Sequence, residues 1–527
     1  MFSLTSLARR AAQINPDAIA VTAPGHRVHW REFPERIARL AGGLRNLGVR
    51  PDDSVAILAL NSAHYYEFYF AVAWSGGVFV PVNTRLAPPE ILHWLSDSDT
   101  RVVCVDATFL PVLQAIAPQL PDLAHIVLIG DASGASRTPV DGELPDWDSL
   151  AQTRPVPDAD RRNDDIAGIF YTGGTTGRSK GVMLSQQNLV VNAMQAAPIL
   201  ELQPGDRCLH AAPMFHIADW CMCVGMALMG GSNSFLPAFE PGAVMQRIQD
   251  EGIEKMLMVP TMINMIVNHP HIGDFNLSSL KAIMYGASPM PEAVIRRALE
   301  VLPGTRFYQA YGQTEAAPIL TMLRPEYHTT VGDGPFAGRL KSAGHALPGV
   351  ELTVLDADDQ PVPNGEVGEV CARGPNVMLG YRNLPGQTAD TLAGGWLHTG
   401  DGGRLDDDGF LFIVDRVKDM IVTGGENVYS AEVENAIFQH EDVEQCAVIG
   451  VPDEKWGERV HAIVVPKAGR TPEAEAIVAH CRQLIAGFKC PRSVELRSEP
   501  LPLSGAGKIL KTELRKPYWD QQKRNVS

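Results

Sequence analysis

Short apolar runs alternate with segments of helical period over most of the chain, and this alternation limits the folds open to it. Ile37, Leu40, Ala41 and Leu44 recur at helical spacing, Gly48 stops that helix, and the run 54–60 follows as a buried strand. A second helical pattern (63–74) leads to the run 78–82, and a third (89–95) leads to 101–105. Such repetition favours a parallel sheet with helices on its faces. The pattern resumes with strands expected at 208–212, 256–259, 282–285 and 307–310. Helices are expected around 243–251, 261–267 and 291–301, the last with Pro291 in its first turn. From about Gly338 short strands separated by Gly/Pro turns take over (350–355, 368–372, 410–414), as in a small β-barrel or meander. After Asp415 a compact unit is expected, in which Ser430 caps a helix carrying Val433, Ala436 and Ile437. Two strands (446–449, 461–465) follow it, then a helix opened by Thr471 and Pro472 with Ile477, Cys481 and Leu484 inward. The expected fold class is α/β. A large N-terminal domain (1–414) has two α/β subdomains plus a small β-barrel, and a small α+β C-terminal domain (415–527) completes the chain.

At 527 residues there is room for several domains and a large core. The formal net charge of −16 argues against nucleic acid as a partner, since phosphate backbones need a basic footprint. Anionic substrates must then be met by local cations. The 8 cysteines are scattered without C-x-x-C or zinc spacing, and Cys221 and Cys223 lie in an apolar stretch that suits buried thiols. Residues 1–10 lack an apolar signal core, and nowhere do about 18 apolar residues run together. The expectation is a cytoplasmic protein with no transmembrane segment.

One loop concentrates phosphate-binding chemistry. Tyr171-Thr-Gly-Gly-Thr-Thr-Gly-Arg-Ser-Lys-Gly-Val182 follows the apolar run 166–171 and precedes a second short strand and a helical pattern to Ala197. Glycines let backbone N–H groups converge, while hydroxyls and cations add donors. Walker A spacing is absent, because Ser179 stands five residues after Gly174 and Arg178 five after Gly173. A plain Gly/Thr hairpin is the competing reading.

Further segments carry chemistry of their own. Tyr311-Gly-Gln-Thr-Glu315 sits at the carboxyl end of a strand, where α/β sheets bind ligands, and Glu315 offers oxygen to a hard cation. The small residues of Gly286-Ala-Ser-Pro289 let a flat base approach the backbone. Thr399-Gly-Asp401 presents a carboxylate at a turn and is followed by Asp415-Arg-Val-Lys-Asp419. Gly424-Gly-Glu-Asn427 and Pro502-Leu-Ser-Gly-Ala-Gly-Lys508 come next, the latter a flexible loop ending in a lysine. Pro213-Met-Phe-His216 lies upstream, with Trp220 one helical turn on. Each segment alone is a turn, a capped helix start or a solvated charge as readily as a site.

In this order, from the glycine loop to Lys508, the segments resemble those of an acyl-CoA synthetase of the adenylate-forming superfamily. That group also contains luciferases and peptide-synthetase adenylation domains. Gly173 stands where Ser is common and Ser179 where Pro is common. The resemblance implies that Thr172, Gly173, Gly174, Thr175, Thr176, Gly177 and Lys180 hold the ATP phosphates. Glu315, with Thr175, holds Mg2+, and Thr314 touches the α-phosphate. Adenine lies between Gly286, Ala287 and Ser288 and the segment Gln309, Ala310, Tyr311 and Gly312. Asp401 binds the ribose with Arg416 beside it. Lys418 is the hinge of a mobile C-terminal domain, and Gly424, Gly425 and Glu426 line a coenzyme A tunnel after rotation. Lys508 stabilises charge at the α-phosphate during adenylation. His216 gates the acid pocket, with Trp220 and Gly286 at its wall.

The implied function is an ATP- and Mg2+-dependent ligase joining a hydrophobic acid to coenzyme A through an acyl-adenylate. The acid is a medium- or long-chain fatty acid or an arylalkanoic acid. Alternatives are a short substituted acid such as 3-methylthiopropanoate, or an amino-acid adenylation enzyme loading a carrier protein, for which Asp219 would supply the ammonium partner. A luciferase-type oxygenase shares the nucleotide motifs. A catalytically silent nucleotide sensor would require the loss of Glu315 or Lys508, and both are present. A homodimer is compatible with the sequence.

Overall fold

The helix Ala63–Ser75 is buried along its whole length, every residue of it, and two sheets close around it. This computed structural model describes residues 2–23, 25–129, 144–172, 179–329, 336, 338–416, 420–423, 426–453, 455–504 and 509–525. One apolar cluster joins Phe79 and Phe170 of a seven-stranded sheet to Val21 and Phe235 of a nine-stranded one. A charged residue inside such a helix must be paired. Glu67, fully buried, accepts from His26 Nε2 (2.7 Å), Arg36 Nε (2.7 Å) and Trp147 Nε1 (3.1 Å). Burial alone would raise its pKa, but the bonds from His26 and Arg36 overcome that and hold the carboxyl at about 2.

The seven-stranded sheet is parallel through Ser54–Leu58, Val78–Pro81, Thr100–Val105, His125–Leu128 and Ile166–Thr172. Lys180–Ser185 and Gly380–Tyr381 then add antiparallel at one edge. The nine-stranded sheet is parallel from Ile19–Ala23 across to Arg306–Gly312, with antiparallel strands at both edges. Expected strands and helices of both blocks are present, with ends shifted by a few residues. Pro291 differs: it is the extended cap before the helix Glu292–Val301 rather than a first-turn residue.

The expected barrel or meander resolves as a four-stranded antiparallel meander of Glu351–Leu355, Gly368–Arg373, Leu397–Leu405 and Leu411–Arg416. Beyond it, Glu426–Val428, Ile421–Thr423, Gly457–Pro466, Val443–Asp453 and Ser493–Leu496 form a sheet with its own core around Ile437, Val448, Val464 and Ile477. Tyr429, not Ser430, caps the helix Ser430–Phe438, and Ser430 Oγ instead accepts from Lys511 Nζ at 2.5 Å. In the helix Ala474–Leu484, Ile477 and Cys481 are inward as expected, but Leu484 is 45% exposed. Ile485, four residues after Cys481, packs against the core in its place.

Candidate active site

The glycine loop is the connection of a hairpin, because Thr172 and Lys180 are cross-strand partners in Ile166–Thr172 and Lys180–Ser185. Gly173, Gly174, Thr175, Thr176 and Gly177 lie outside the described residues. The base of the hairpin is held firmly. Tyr171 stacks on Trp94 (4.8 Å between rings) and donates to Asp97 Oδ2 at 2.7 Å. His93 Nε2 meets the Ser179 carbonyl at 3.3 Å.

Lys180 points from this hairpin to Glu315 through one intermediary. Its ammonium lies over the Tyr381 ring, 4.1 Å from the centroid, and the Tyr381 hydroxyl donates to Glu315 Oε1 at 2.7 Å. Burial and the Glu315 carboxylate push the Tyr381 pKa up, so the phenol keeps its proton and acts as donor. Tyr381 reaches this place because Gly380–Tyr381 pairs with Val182 and Met183 at the hairpin edge. Glu315 is buried in the one-turn 3-10 helix Thr314–Ala316. That turn is clamped by the segment preceding Tyr381. Met378 N donates to the Glu315 carbonyl (2.8 Å), and Asn376 Nδ2 donates to the carbonyls of Ala316 (2.8 Å) and Ile319 (3.1 Å).

A second group forms at the ends of two parallel strands, where Gly286 is paired with Ala310 and Tyr285 with Gln309. A Cβ at Gly286 would stand 2.2 Å from the Ala310 carbonyl oxygen, and one at Gly312 would stand 2.1 Å from the Pro318 oxygen. Only glycine permits either approach. Ala287, next in the chain, adopts a left-handed φ of 65° and is exposed, while Ser288 and Thr314 are half-buried. The Tyr311 hydroxyl donates to Asp401 Oδ2 at 2.9 Å, and Asp401 is the cross-strand partner of Arg416. The structure thus brings Gly286, Ala310, Tyr311 and Asp401 to one side of the molecule.

His216 caps the helix Ile217–Met229, its Nδ1 accepting from Ala218 N at 3.2 Å. Burial pushes its pKa down to about 4, so the ring is neutral and able to accept. Trp220 is 2% exposed and packs among Tyr69 (4.4 Å), Phe79 (5.0 Å) and Phe170 (5.9 Å). Met214, Met222, Met226 and Met284 are buried as well. Asp219 is engaged with His210, Oδ2 to Nδ1 at 2.7 Å, both within the core. Burial would lower the His210 pKa, but the Asp219 carboxylate carries it well above the usual value.

Lys418, Gly424, Gly425 and Lys508 lie outside the described residues. Glu426 is exposed on the strand Glu426–Val428. Arg85 Nη1 donates to the Ser504 carbonyl at 3.3 Å, joining the last segment of the chain to the residues just before the helix Pro88–Asp97. Sequence reasoning passed over Tyr381 and Asn376. Both sit in a Gly/Pro-rich stretch that reads as turns, and only the Gly380–Tyr381 pairing reveals their position.

Comparison with known proteins places the chain in a family. Residues 8–382 match the family described as AMP-binding enzyme, and residues 432–508 match the AMP-binding enzyme C-terminal domain. The chain is 40% identical to a feruloyl-CoA synthase of Amycolatopsis over 97% of its own length and 98% of the relative's. It is 33% identical to a long-chain-fatty-acid–CoA ligase of Salmonella typhimurium, covering 97% and 94% of the two chains. The crystal structure of ATP-bound MatB from Rhodopseudomonas palustris superposes with a TM-score of 0.86 at 29% identity, covering 99% of each chain. The chain belongs to the AMP-binding, adenylate-forming enzymes and is an AMP-forming acid–CoA ligase, using a carboxylic acid, ATP and coenzyme A.

Proposed function

We propose that the acid is hydrophobic, a medium- or long-chain fatty acid or an arylalkanoic acid, and that it binds beside His216. The observation that carries this reading is the state of Asp219, whose carboxylate is already paired with the His210 imidazolium. An amino-acid substrate needs a buried carboxylate to balance its ammonium, and the charge of this one already balances His210 through Oδ2. A neutral His216 and the buried methionines offer an apolar lining in keeping with an alkyl or aryl chain.

In the proposed cycle a carboxylate oxygen attacks the α-phosphorus and the bond to the bridging oxygen breaks, releasing pyrophosphate. The thiol sulfur of coenzyme A then attacks the acyl carbon, AMP leaves and the thiol proton is lost. Lys180 and Thr172, with the glycine loop between them, hold the phosphates. Tyr311 and Gly286 flank the adenine, while Asp401 and Arg416 take the ribose hydroxyls. Lys508 neutralises charge that grows at the α-phosphate, an interaction stronger in the transition state than before it. Glu315 fits Mg2+, since a buried carboxylate facing the phosphate-binding hairpin supplies the hard oxygen donor this cation requires. Bound there, the ion would offset phosphate charge. Tyr381 orients Glu315 for that task. A division at 414/415 lets the C-terminal part turn about Lys418 and present Gly424, Gly425 and Glu426 to coenzyme A. Eight free, buried cysteines suit a reducing, cytoplasmic setting.

The test is pyrophosphate release with ATP and Mg2+ across a panel of acids, with and without coenzyme A. The panel runs from acetate through octanoate to palmitate, with aromatic propanoic and propenoic acids, 3-methylthiopropanoate and several amino acids. Release that peaks with one hydrophobic acid and is accelerated by coenzyme A is the expected result. Release that peaks with an amino acid, indifferent to coenzyme A, would overturn it.

A further inference from the structure

Three groups of potential metal ligands stand together among the described residues, and they differ in what they could do. In the group of His26, His64 and Glu67, the carboxylate is already engaged by Arg36 and Trp147. His210, Asp219 and Cys223 are sealed in the core around an ion pair. The third, Glu369, Cys371 and His398, is built differently.

Glu369 and Cys371 are two residues apart on the strand Gly368–Arg373, so their side chains leave the same face. His398, on Leu397–Leu405, is the cross-strand partner of Cys371. Three ligand types therefore converge from two adjacent strands of a meander rather than from mobile loops. His398 Nδ1 lies 3.5 Å from Cys371 Sγ and 2.9 Å from Glu369 Oε2. In a tetrahedral zinc site, bonds of about 2.3 Å to sulfur and 2.0 Å to nitrogen or oxygen put neighbouring ligand atoms roughly 3.3–3.6 Å apart. These two spacings need to adjust by only a few tenths of an ångström, and all three ligand atoms lie within 4.8 Å of one another. Cys371 is buried, whereas the His398 and Glu369 side chains are 14% and 29% exposed, so an ion can enter from their side and keep water as a fourth ligand.

We propose that Glu369, Cys371 and His398 form a binding site for a soft divalent cation of the zinc class. A thiolate and an imidazole select such ions over Mg2+, which separates this site from the hard-oxygen donor at Glu315. Binding exchanges the Cys371 thiol proton for a metal–sulfur bond, and the proton is released to solvent. An ordinary cysteine thiol, with a pKa of about 8.5, is protonated at neutral pH, so the release of this proton is measurable. The site also touches the nucleotide end of the enzyme. Glu369 Oε1 accepts from Gly400 N at 2.8 Å, inside the turn that presents Asp401.

Cadmium is the probe, because its bond to a thiolate gives an ultraviolet charge-transfer band. Titration of the metal-free full-length enzyme is expected to produce a band saturating at one cadmium per chain, with proton release in step and reversal by zinc. Cys371→Ser is expected to abolish the band, while His398→Gln and Glu369→Gln each weaken binding by more than about 100-fold, beyond the 10- to 100-fold of outer-shell changes. Circular dichroism of each variant and retained cadmium-independent folding of Cys371→Ser separate loss of a ligand from loss of structure. No band, a band that survives Cys371→Ser, or affinity unchanged in both other variants would overturn the proposal.

Discussion

Tyr381 links Lys180 and Glu315, the two charged residues proposed to serve the phosphate end of the site. Its ring receives the Lys180 ammonium and its hydroxyl serves Glu315. A hydrogen bond to a charged acceptor is worth about 1.5–3 kcal/mol. Tyr381→Phe keeps the ring and removes only the donor, so adenylation is expected to slow by about tenfold or more, each factor of ten being about 1.4 kcal/mol. Pyrophosphate release and thermal unfolding, measured together, check this. An unchanged rate would remove Tyr381 from the site, and a matching collapse of stability would make its role structural. The residue also shows where sequence reading stopped. Glu315 and Lys180 were legible because each lies in a dense local pattern. The contact between them runs through a tyrosine 66 positions from one and far from the other, and no local pattern encodes it.

The helix Ile217–Met229, proposed to face the acid, is anchored electrostatically. Asp219 binds His210 of the strand Arg207–His210, whose Nε2 meets Asn233 Oδ1 at 2.9 Å on the neighbouring strand. Breaking a buried pair by removing one charge costs about 3–5 kcal/mol. Asp219→Asn is therefore expected to lower the unfolding midpoint by several degrees without admitting amino-acid substrates. Buried histidines, His210 and His216 at this helix and His328 elsewhere, give stability a pH dependence of opposite sign on the two sides of the ordinary histidine pKa of 6.5. His210 keeps its proton in the fold above that value while the unfolded chain loses it, so stability falls as pH rises. His216 and His328, both held down to about 4 by burial, stay neutral in the fold while the unfolded chain protonates. Stability is then lost as pH falls from 6.5 towards 4. Midpoints measured across this range should peak between the two limbs, Asp219→Asn flattening the alkaline limb and His328→Gln the acid one. Most elements were legible from period and capping alone, since core-facing residues of the strands and helices repeat at fixed intervals. The exceptions have local causes. Ile485 takes the inward place expected for Leu484, and a two-residue strand, Gly380–Tyr381, is too short to carry any periodicity.

At the scale of the whole molecule, the residues after 420 possess their own core, yet their final segment touches the larger part through Arg85 and Ser504. Ser504 is four residues before Lys508, and this contact motivates two kinetic predictions. Lys508→Ala is expected to abolish acyl-adenylate formation while leaving transfer from supplied acyl-adenylate to coenzyme A nearly intact. Loss of both half-reactions in a folded variant would mean the role is misassigned. Lys418→Pro is expected to impair thioester formation more than adenylation, and equal damage to both would reject a hinge there. One feature of the nucleotide end reaches beyond this chain. At Gly286 and Gly312 the crowding partner is a main-chain oxygen, so no change of neighbouring side chain can make room for a larger residue. The acid end proposed above is bounded by side chains, His216, Trp220 and methionines, each replaceable by a single substitution. On the proposed assignment, drift in substrate range is cheap at one end of the site and closed at the other. Such a division of constraint is in keeping with relatives named for acids as different as ferulic and long-chain fatty acids.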